Sequence, residues 1–188
     1  TELARERENR TVPALQAPIG EYERFAAGFP FTPTIDQLRA VEAVRDDLAQ
    51  SRPMDRLVVG DVGYGKTEVA LRAAAIAVLA GHQVVVVAPT TVLVRQHVET
   101  FRRRFERIGK RVEGLSGLNS AAEAKAVKQG LADGSVDVVV GTQAVAGKGV
   151  EYAKLALVVI DEEQRFGAAD KLKLRELGDG AHVLTLTA

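Results

Sequence analysis

Cysteine is absent from the chain, and there are only 3 histidines. Without thiols, the protein has no disulfide bonds, no cysteine-based zinc site and no thiol catalysis. The histidines, His82, His97 and His182, are spaced in a way that matches no metal-binding motif. These absences exclude disulfide-stabilised, zinc–cysteine and thiol-dependent proteins.

Long apolar runs and an excess of one charge are also missing. No apolar stretch approaches the roughly 18 residues of a membrane-spanning helix, and the opening TELARERENR is too polar for a secretory signal. We therefore expect a soluble, cytoplasmic protein with no membrane partner. Lys plus Arg and Asp plus Glu number 25 each, so any affinity for nucleic acid must come from a local patch.

The residues that are present suffice for one globular domain. The chain has 188 residues, of which 46% are hydrophobic and 27% charged, which argues against disorder. It begins at Thr1 without Met and ends on LTLTA, which indicates a segment of something larger. We interpret residues 1–28, charged and then containing Pro and Gly, as a linker or N-terminal arm, and residues 29–188 as the domain.

Periodicity from Thr34 onward predicts alternating helices and strands. Thr34 is a candidate N-cap for a helix whose apolar residues recur in steps of three and four, at Ile35, Leu38, Val41, Val44 and Leu48. Further helices are predicted over 66–79, 91–108 and 121–131, and strands over 57–59, 84–87, 112–115, 136–140, 157–160 and 183–186. Continuous apolar strands that alternate with helices predict an α/β fold, a parallel sheet with helices on both faces.

The stretch GDVGYGKT, residues 60–67, carries the clearest chemical signal. Gly60, Gly65, Lys66 and Thr67 match the phosphate-loop pattern, and they lie between a predicted strand and a predicted helix. Backbone N–H groups and the helix start would bind the β-phosphate, Lys66 would reach the β- and γ-phosphates, and the Thr67 hydroxyl would hold Mg²⁺. The alternative is a glycine-rich turn that matches by chance, which the flanking elements disfavour.

A second candidate half-site is LVVIDEEQ, residues 157–164. Asp161 ends a predicted buried strand, where its carboxylate could orient Mg²⁺ through water, and Glu162 would be the general base for the attacking water. The alternative is a strand end capped by solvated acids. The two motifs together predict Mg²⁺ with ATP or another nucleoside triphosphate rather than a dinucleotide, because no G-x-G-x-x-G pattern with a following acid is present.

The order of these and other motifs resembles the superfamily 2 helicases and translocases, which contain RecA-like P-loop NTPase domains. FTPTIDQ precedes the phosphate loop, APTT follows the second strand, GTQ follows the strand at 136–140, and DEEQRFG and LTLTA complete the series. More narrowly, FPFTPTIDQLRAVEAV, DEEQRFG and VLTLTA resemble the transcription-repair coupling factor family, over residues 28–188. The second acid of DEEQRFG favours this family over the related RecG fork-remodelling helicases, whose motif is of the form DEQ-H-RFG.

The resemblance implies the first RecA-like lobe of a double-stranded DNA translocase that uses ATP to displace stalled RNA polymerase in DNA repair. RNA polymerase and repair proteins would bind through domains outside this chain. Gln37 would read the adenine, and Gln164 would lie near the γ-phosphate and couple hydrolysis to motion. The implied nucleotide-binding residues are Phe31, Gln37, Gly60, Asp61, Val62, Gly63, Tyr64, Gly65, Lys66, Thr67 and Glu68, with Lys66, Glu162 and Gln164 catalytic and Thr67 and Asp161 at the metal.

The same resemblance places Thr90, Thr91, Gln96, Gly141 and Thr142 on the DNA backbone, where hydroxyl and N–H groups would track phosphates without reading sequence. A structural alternative is an N-cap at Thr91 and a turn at Gly141–Thr142. The segment GTQAVAGKGV, and Ala-Ala-Asp after RFG, depart from the family pattern on this DNA-facing side.

Three interpretations remain open: a coupling-factor motor lobe, a RecG-like helicase lobe and a non-catalytic docking module. Because the arginine finger of a second lobe is missing, we expect the isolated chain to bind Mg-nucleotide weakly and to hydrolyse it barely. For FRRRFER, residues 101–107, helical spacing favours an ordinary amphipathic surface over a DNA patch. Arg165 could pair with an acid or contact DNA.

Overall fold

The computed structural model describes residues 10–60 and 64–188, and of Tyr64 it describes the backbone alone. The six strands are β1 Asp55–Val59, β2 Gln83–Val87, β3 Val112–Leu115, β4 Val138–Gly141, β5 Leu155–Asp161 and β6 His182–Thr187. The α-helices are α1 Ile19–Ala26, α2 Ile35–Leu48, α3 Tyr64–Leu79, α4 Thr91–Phe105, α5 Ala121–Asp133 and α6 Ala168–Leu177.

All strand pairs are parallel, and the strand order across the sheet is β1-β6-β5-β2-β4-β3. Parallel strands need crossover connections, so every loop after a strand lies at the same edge. β1 and β5 flank β6, whereas β2 and β4 are direct neighbours. The phosphate-loop and acidic motifs therefore share one part of this edge, and the motifs after β2 and β4 share another.

Two apolar clusters cover the two faces of the sheet. Within β2, Val84 and Val86 pack into one cluster with α1 to α4, whereas Val85 and Val87 pack into the other with α5 and α6. This alternation follows from the period of two in a strand, and it explains why all five β2 residues are buried. The predicted α/β sheet with helices on both faces is confirmed.

Helix ends follow local signals closely. The Thr34 side chain accepts a hydrogen bond from Gln37 N–H, and the Gln37 side chain accepts one from Thr34 N–H, which makes a reciprocal capping box. Gly81 follows α3 with a φ of 93°, the left-handed conformation that a C-terminal glycine permits. The predicted helix over 91–108 ends as a short 3₁₀ turn at Glu106–Ile108.

Residues 12–26 differ from the expected linker. Val12 and Leu15 are buried and donate backbone hydrogen bonds to Ser51 and Leu48 carbonyls. α1 adds Tyr22 and Phe25 to the core, and the Phe25 ring meets the Phe105 ring edge-on at 5.0 Å. A helix of 8 residues has too few turns to produce a clear apolar period, so the sequence pattern did not reveal it.

Two other differences concern element positions. Helix α6 lies in a region for which no helix was predicted, and β4 begins at Val138 rather than at residue 136. In α2, the periodic residues Ile35 and Leu38 are 69% and 45% exposed, so only the second half of the helix buries its apolar face.

Within the described residues, every helix falls short of what a membrane span requires in length and apolar character.

Candidate nucleotide-binding site

The phosphate-loop lysine and the acidic end of β5 meet in space. Lys66 Nζ donates hydrogen bonds to Asp161 Oδ1 at 3.0 Å and to Glu162 Oε1 at 2.6 Å. Lys66 comes from the first turns of α3, after β1, and the two acids come from the end of β5. The structure thus brings together three residues that the sequence analysis assigned to one site, across 95 positions of sequence in the case of Asp161.

Lys66 and Asp161 are buried where they meet, and each contacts a group of opposite charge. The side chains of Lys66 and Asp161 are 10% and 4% exposed. Burial by itself would lower the pKa of Lys66, but hydrogen bonds to Glu162 and Asp161 outweigh it and raise that pKa. Burial would raise the pKa of Asp161, but hydrogen bonds from His97 and Lys66 hold it below its usual range. Lys66 and Asp161 are therefore both ionised.

Glu162 has an unusual backbone conformation. Among the described residues, it is the one non-glycine residue with a positive φ, at 53° with ψ of 49°. Its N–H donates to the Leu186 carbonyl of β6 at 3.0 Å, and its Oε2 accepts from Gln164 Nε2 at 2.5 Å. Left-handed geometry costs of order 1 kcal/mol at such a residue, and here it turns the chain sharply so that the Glu162 carboxylate faces Lys66.

A cleft of about 510 Å³ opens beside Lys66, a size suited to a small ligand. Its lining includes Gln37, Gly60 and Gly65 as well as Lys66. Gln37 Nε2 lies so near the loop that a Cβ on Gly65 would come within 3.5 Å of it. Phe31 is 51% exposed and contacts the Phe29 ring edge-on, and it does not line this cleft. The predicted residues Asp61, Val62 and Gly63 lie outside the described residues.

The residues at hand fit Mg²⁺. This ion prefers hard oxygen ligands and is commonly held by one or two protein side chains together with water and substrate phosphates. The Asp161 carboxylate and the hydroxyl of Thr67, next to Lys66 in α3, are donors of this type. In the described part of the chain, no group of three or more His, Asp or Glu side chains is arranged to hold a metal ion.

Glu68 lies elsewhere than predicted. Its side chain is 2% exposed and accepts hydrogen bonds from Arg72 Nε at 2.8 Å and from both terminal nitrogens of Arg104. Arg104 also donates to the Phe25 carbonyl at 3.1 Å. The Glu68 side chain therefore joins α3, α4 and α1 within the core, rather than lining the nucleotide cleft, because two buried cations surround it.

His97 is a site residue that sequence reasoning missed. Its Nε2 lies 2.9 Å from Asp161 Oδ2, whereas Lys66 contacts the other oxygen, Oδ1. The spacing of the histidines along the sequence matches no metal-binding motif and gives no sign of this contact. The contact joins positions 64 residues apart, so no local pattern announces it.

The candidate DNA-contacting residues lie along the edge above β2 and β4. Thr90, rather than Thr91, is the N-cap of α4, and its hydroxyl accepts from Leu93 N–H at 3.2 Å. Thr91 is half-buried in the first turn and Gln96 is exposed. Gly141 and Thr142 are buried, and Thr142 caps a short 3₁₀ helix.

Close packing by itself explains why position 141 is a glycine. A Cβ at this position would lie 2.2 Å from the Leu115 carbonyl oxygen of the neighbouring strand and 2.6 Å from Val145 Cγ1. No side chain fits there. The structural interpretation therefore accounts for Thr90, Gly141 and Thr142, whereas Thr91 and Gln96 keep accessible polar groups.

The arginine run divides between core and surface. Phe101, Phe105 and Arg104 are buried, whereas Arg102 and Arg103 are exposed and pair with Glu113 at 3.2 Å and Glu99 at 3.0 Å. This is the amphipathic surface helix expected from the spacing, with Arg104 as an additional core residue. Arg165 is exposed.

The strand order, the lysine at the start of the helix after β1 and the carboxylates at the end of β5 define a RecA-like α/β domain. Comparison with known proteins shows to which family this domain belongs. The family model for DEAD/DEAH box helicases matches residues 34–188, and the chain belongs to this family.

Curated relatives are named transcription-repair-coupling factor. The chain is 47% identical over 168 residues to the one from Haemophilus influenzae and 51% identical over 160 residues to the one from Mycobacterium bovis. These matches cover 89% and 85% of this chain but 15% and 13% of the relatives. The chain thus spans about one seventh of their length, and the resemblance seen in the motifs is confirmed.

Solved helicase structures have a similar fold. A structure of RecG bound to a three-way DNA junction matches with a TM-score of 0.86 and 34% identity, over 100% of this chain and 25% of that one. The DUF1998 helicase MrfA matches with a TM-score of 0.66 over 91% of this chain and 30% of its own, and at 16% identity it supports the fold alone.

Proposed function

We propose that this chain is the ATP-binding motor lobe of a double-stranded DNA translocase. The observation that carries the proposal is the contact of Lys66 with both Asp161 and Glu162 at the edge of the sheet. A buried cation between two carboxylates, beside a cleft lined by glycines and Gln37, is the arrangement needed to receive a triphosphate and its metal.

The residues would act in sequence as the nucleotide binds. The phosphates compete for Lys66, which exchanges its carboxylate partners for phosphate oxygens. Glu162 then loses its ion-pair partner and is free to accept a proton from the attacking water. Bound Mg²⁺ supplies charge neutralisation at the phosphates, and Thr67 and Asp161 would hold it. Gln164 already donates to Glu162. When Glu162 loses its ion pair with Lys66, Gln164 would respond and couple nucleotide binding to motion of the motor.

We further propose that Gln37 selects adenine and that Thr91 and Gln96 contact the DNA backbone. The Gln37 amide nitrogen lies at the cleft beside Gly65, while its amide oxygen accepts the hydrogen bond from Thr34 N–H. Thr90, Gly141 and Thr142 lie at the same edge, but their side chains or close packing serve the fold, so Thr91 and Gln96 carry this part of the proposal. A cytoplasmic location and assembly with further domains stay predictions.

The proposed partner is RNA polymerase, displaced from DNA during repair, since the curated relatives with 45 to 51% identity are named transcription-repair-coupling factor. A second candidate is a lobe of a fork-remodelling helicase, favoured by the RecG match at TM-score 0.86. Displacement of a stalled polymerase by a full-length protein containing this domain supports the first. ATPase activity stimulated by branched DNA, without displacement, supports the second.

Two substitutions test the nucleotide site itself. Lys66→Ala should abolish Mg-nucleotide binding, because it removes the cation that meets the β- and γ-phosphates. Glu162→Gln should retain binding but lose hydrolysis by a factor of about 10² or more, because an amide cannot accept the proton. Binding is measured on the 188-residue chain by fluorescence of a nucleotide analogue, and hydrolysis in a full-length protein that contains the domain.

Arg103→Gln, which alters an exposed arginine on α4, provides the control. This variant should bind the nucleotide analogue with the same affinity as the wild type. Wild-type hydrolysis by the Glu162→Gln protein would refute the assignment of the base. Absence of nucleotide binding by the wild-type chain would instead favour a docking module that keeps only the fold.

A further inference from the structure

His97, on helix α4, contacts Asp161, the carboxylate proposed to hold the metal. Its side chain is 12% exposed, and its Nε2 lies 2.9 Å from Asp161 Oδ2. Because an ionised carboxylate can only accept, Nε2 carries the proton and donates. Asp161 thus has one oxygen bound by Lys66 and the other by His97.

The imidazole is held by a rigid part of the fold. His97 lies in the middle of α4, and its ring meets the Phe101 ring edge-on at 6.3 Å and 90°. Phe101 is 0% exposed and stacks with Phe105 in the core. A donor on a packed helix has a defined position, which a donor on a loop lacks.

The two hydrogen bonds on Asp161 would respond differently to nucleotide. Phosphates in the cleft would draw Lys66, which lines it, away from Oδ1, whereas His97 lies on α4 and is not among the residues that line the cleft. Oδ1 then becomes available to metal-bound water while Oδ2 stays fixed. Partners that orient a ligand in this way typically affect metal affinity by 10- to 100-fold.

We propose that His97 is a positioning residue that holds Asp161 in the orientation needed for Mg²⁺. This inference rests on the proposed nucleotide site. It gives α4 a second task, because the same helix carries Thr91 and Gln96, the accessible candidates for DNA contact. One helix therefore connects the proposed DNA edge to the metal carboxylate.

The test separates metal-dependent from metal-independent binding. His97→Phe removes the donor but keeps a ring against Phe101, whereas His97→Gln places an amide N–H close to the position of Nε2. Binding of a fluorescent ATP analogue is titrated with Mg²⁺ and repeated in EDTA. We expect His97→Phe to raise the half-saturating Mg²⁺ concentration about tenfold or more, with binding in EDTA unchanged, and His97→Gln to restore most of the difference.

Glu99→Gln, an exposed change on the same helix, is the matched control and should titrate like the wild type. If the Phe variant fails to fold by circular dichroism, His97→Asn replaces it, because its amide is too short to reach Asp161. An unchanged Mg²⁺ requirement without the donor would overturn the inference and leave the nucleotide site intact. Equal losses with Mg²⁺ and in EDTA would also overturn it, and a wild-type chain that binds no nucleotide would remove the proposed function and the inference together.

Discussion

At the scale of single residues, Asp161 is the point on which the candidate site depends. It is a buried carboxylate, and its charge is stabilised by Lys66 on one oxygen and His97 on the other. A carboxylate whose pKa is lower in the folded than in the unfolded state stabilises the fold above its unfolded pKa, and that stabilisation disappears as pH falls through the folded pKa. The direction found for Asp161 is of this kind.

We therefore predict a pH-dependent effect of Asp161→Asn. At pH 7 the substitution should lower the free energy of unfolding by about 1 to 3 kcal/mol, because a charge-assisted contact is lost. The difference from wild type should shrink as pH falls below the ordinary carboxyl value of 3.8, since the wild-type carboxylate then takes up a proton. Urea unfolding at several pH values measures this, and a difference that stays constant with pH would contradict it.

At the scale of elements, the buried ion cluster of Glu68, Arg72 and Arg104 joins three helices. Glu68 and Arg72 belong to α3, Arg104 belongs to α4, and Arg104 also donates to a carbonyl of α1. The guanidinium of Arg104 lies 4.7 Å from the centre of the Phe25 ring, which adds a cation–π contact. Helix α3, which carries Lys66, is thereby connected to α4 and α1.

Glu68→Gln should destabilise the domain by about 3 to 5 kcal/mol, because it leaves two buried guanidinium groups without a counter-charge. Glu99→Gln is the matched comparison, since Glu99 pairs with Arg103 on the surface, where both side chains are more than 70% exposed. That substitution should change stability by less than about 1 kcal/mol. Thermal unfolding of both variants provides the measurement, and equal effects would contradict the role of the cluster.

At the scale of the whole molecule, residues 12–26 complete the core on one face of the sheet. Leu15, Tyr22 and Phe25 belong to the same apolar cluster as α2, α3 and α4. His182, at the start of β6, contacts Met54 N–H through Nδ1 and the Pro13 carbonyl through Nε2, so the segment is also bonded to the sheet. The N-terminal segment is part of the domain in the described structure.

Phe25→Ala should lower the free energy of unfolding by about 3 to 5 kcal/mol, since it opens a cavity beside Phe105. Ile19→Ala, in the same helix but 53% exposed, should have a much smaller effect. Chemical denaturation compares the two. If the segment were an independent linker, both variants would unfold with wild-type stability.

Much of the fold could be predicted from the sequence, because the central strands and several helices have strong local sequence patterns. The Val-rich runs at β2, β4 and β5 are buried on both faces, and helices α2 and α5 have clear N-caps at Thr34 and Ser120. Short or weakly amphipathic segments, such as α1 and α6, gave no such signal. Their helices are stabilised by contacts with distant parts of the chain, which local periodicity does not contain.

The features of the candidate site also divide into those that the sequence predicts and those that only the tertiary structure shows. The residue types and spacing around Gly60 to Thr67 and at Asp161 and Glu162 were enough to predict a phosphate loop and its acidic partner, because each motif is defined by local spacing after a strand. Only the tertiary structure decided that His97 meets Asp161, that Glu68 belongs to the core and that Thr90 rather than Thr91 caps α4. Side-chain partners depend on how the strand order stacks distant segments, and no local pattern records that order.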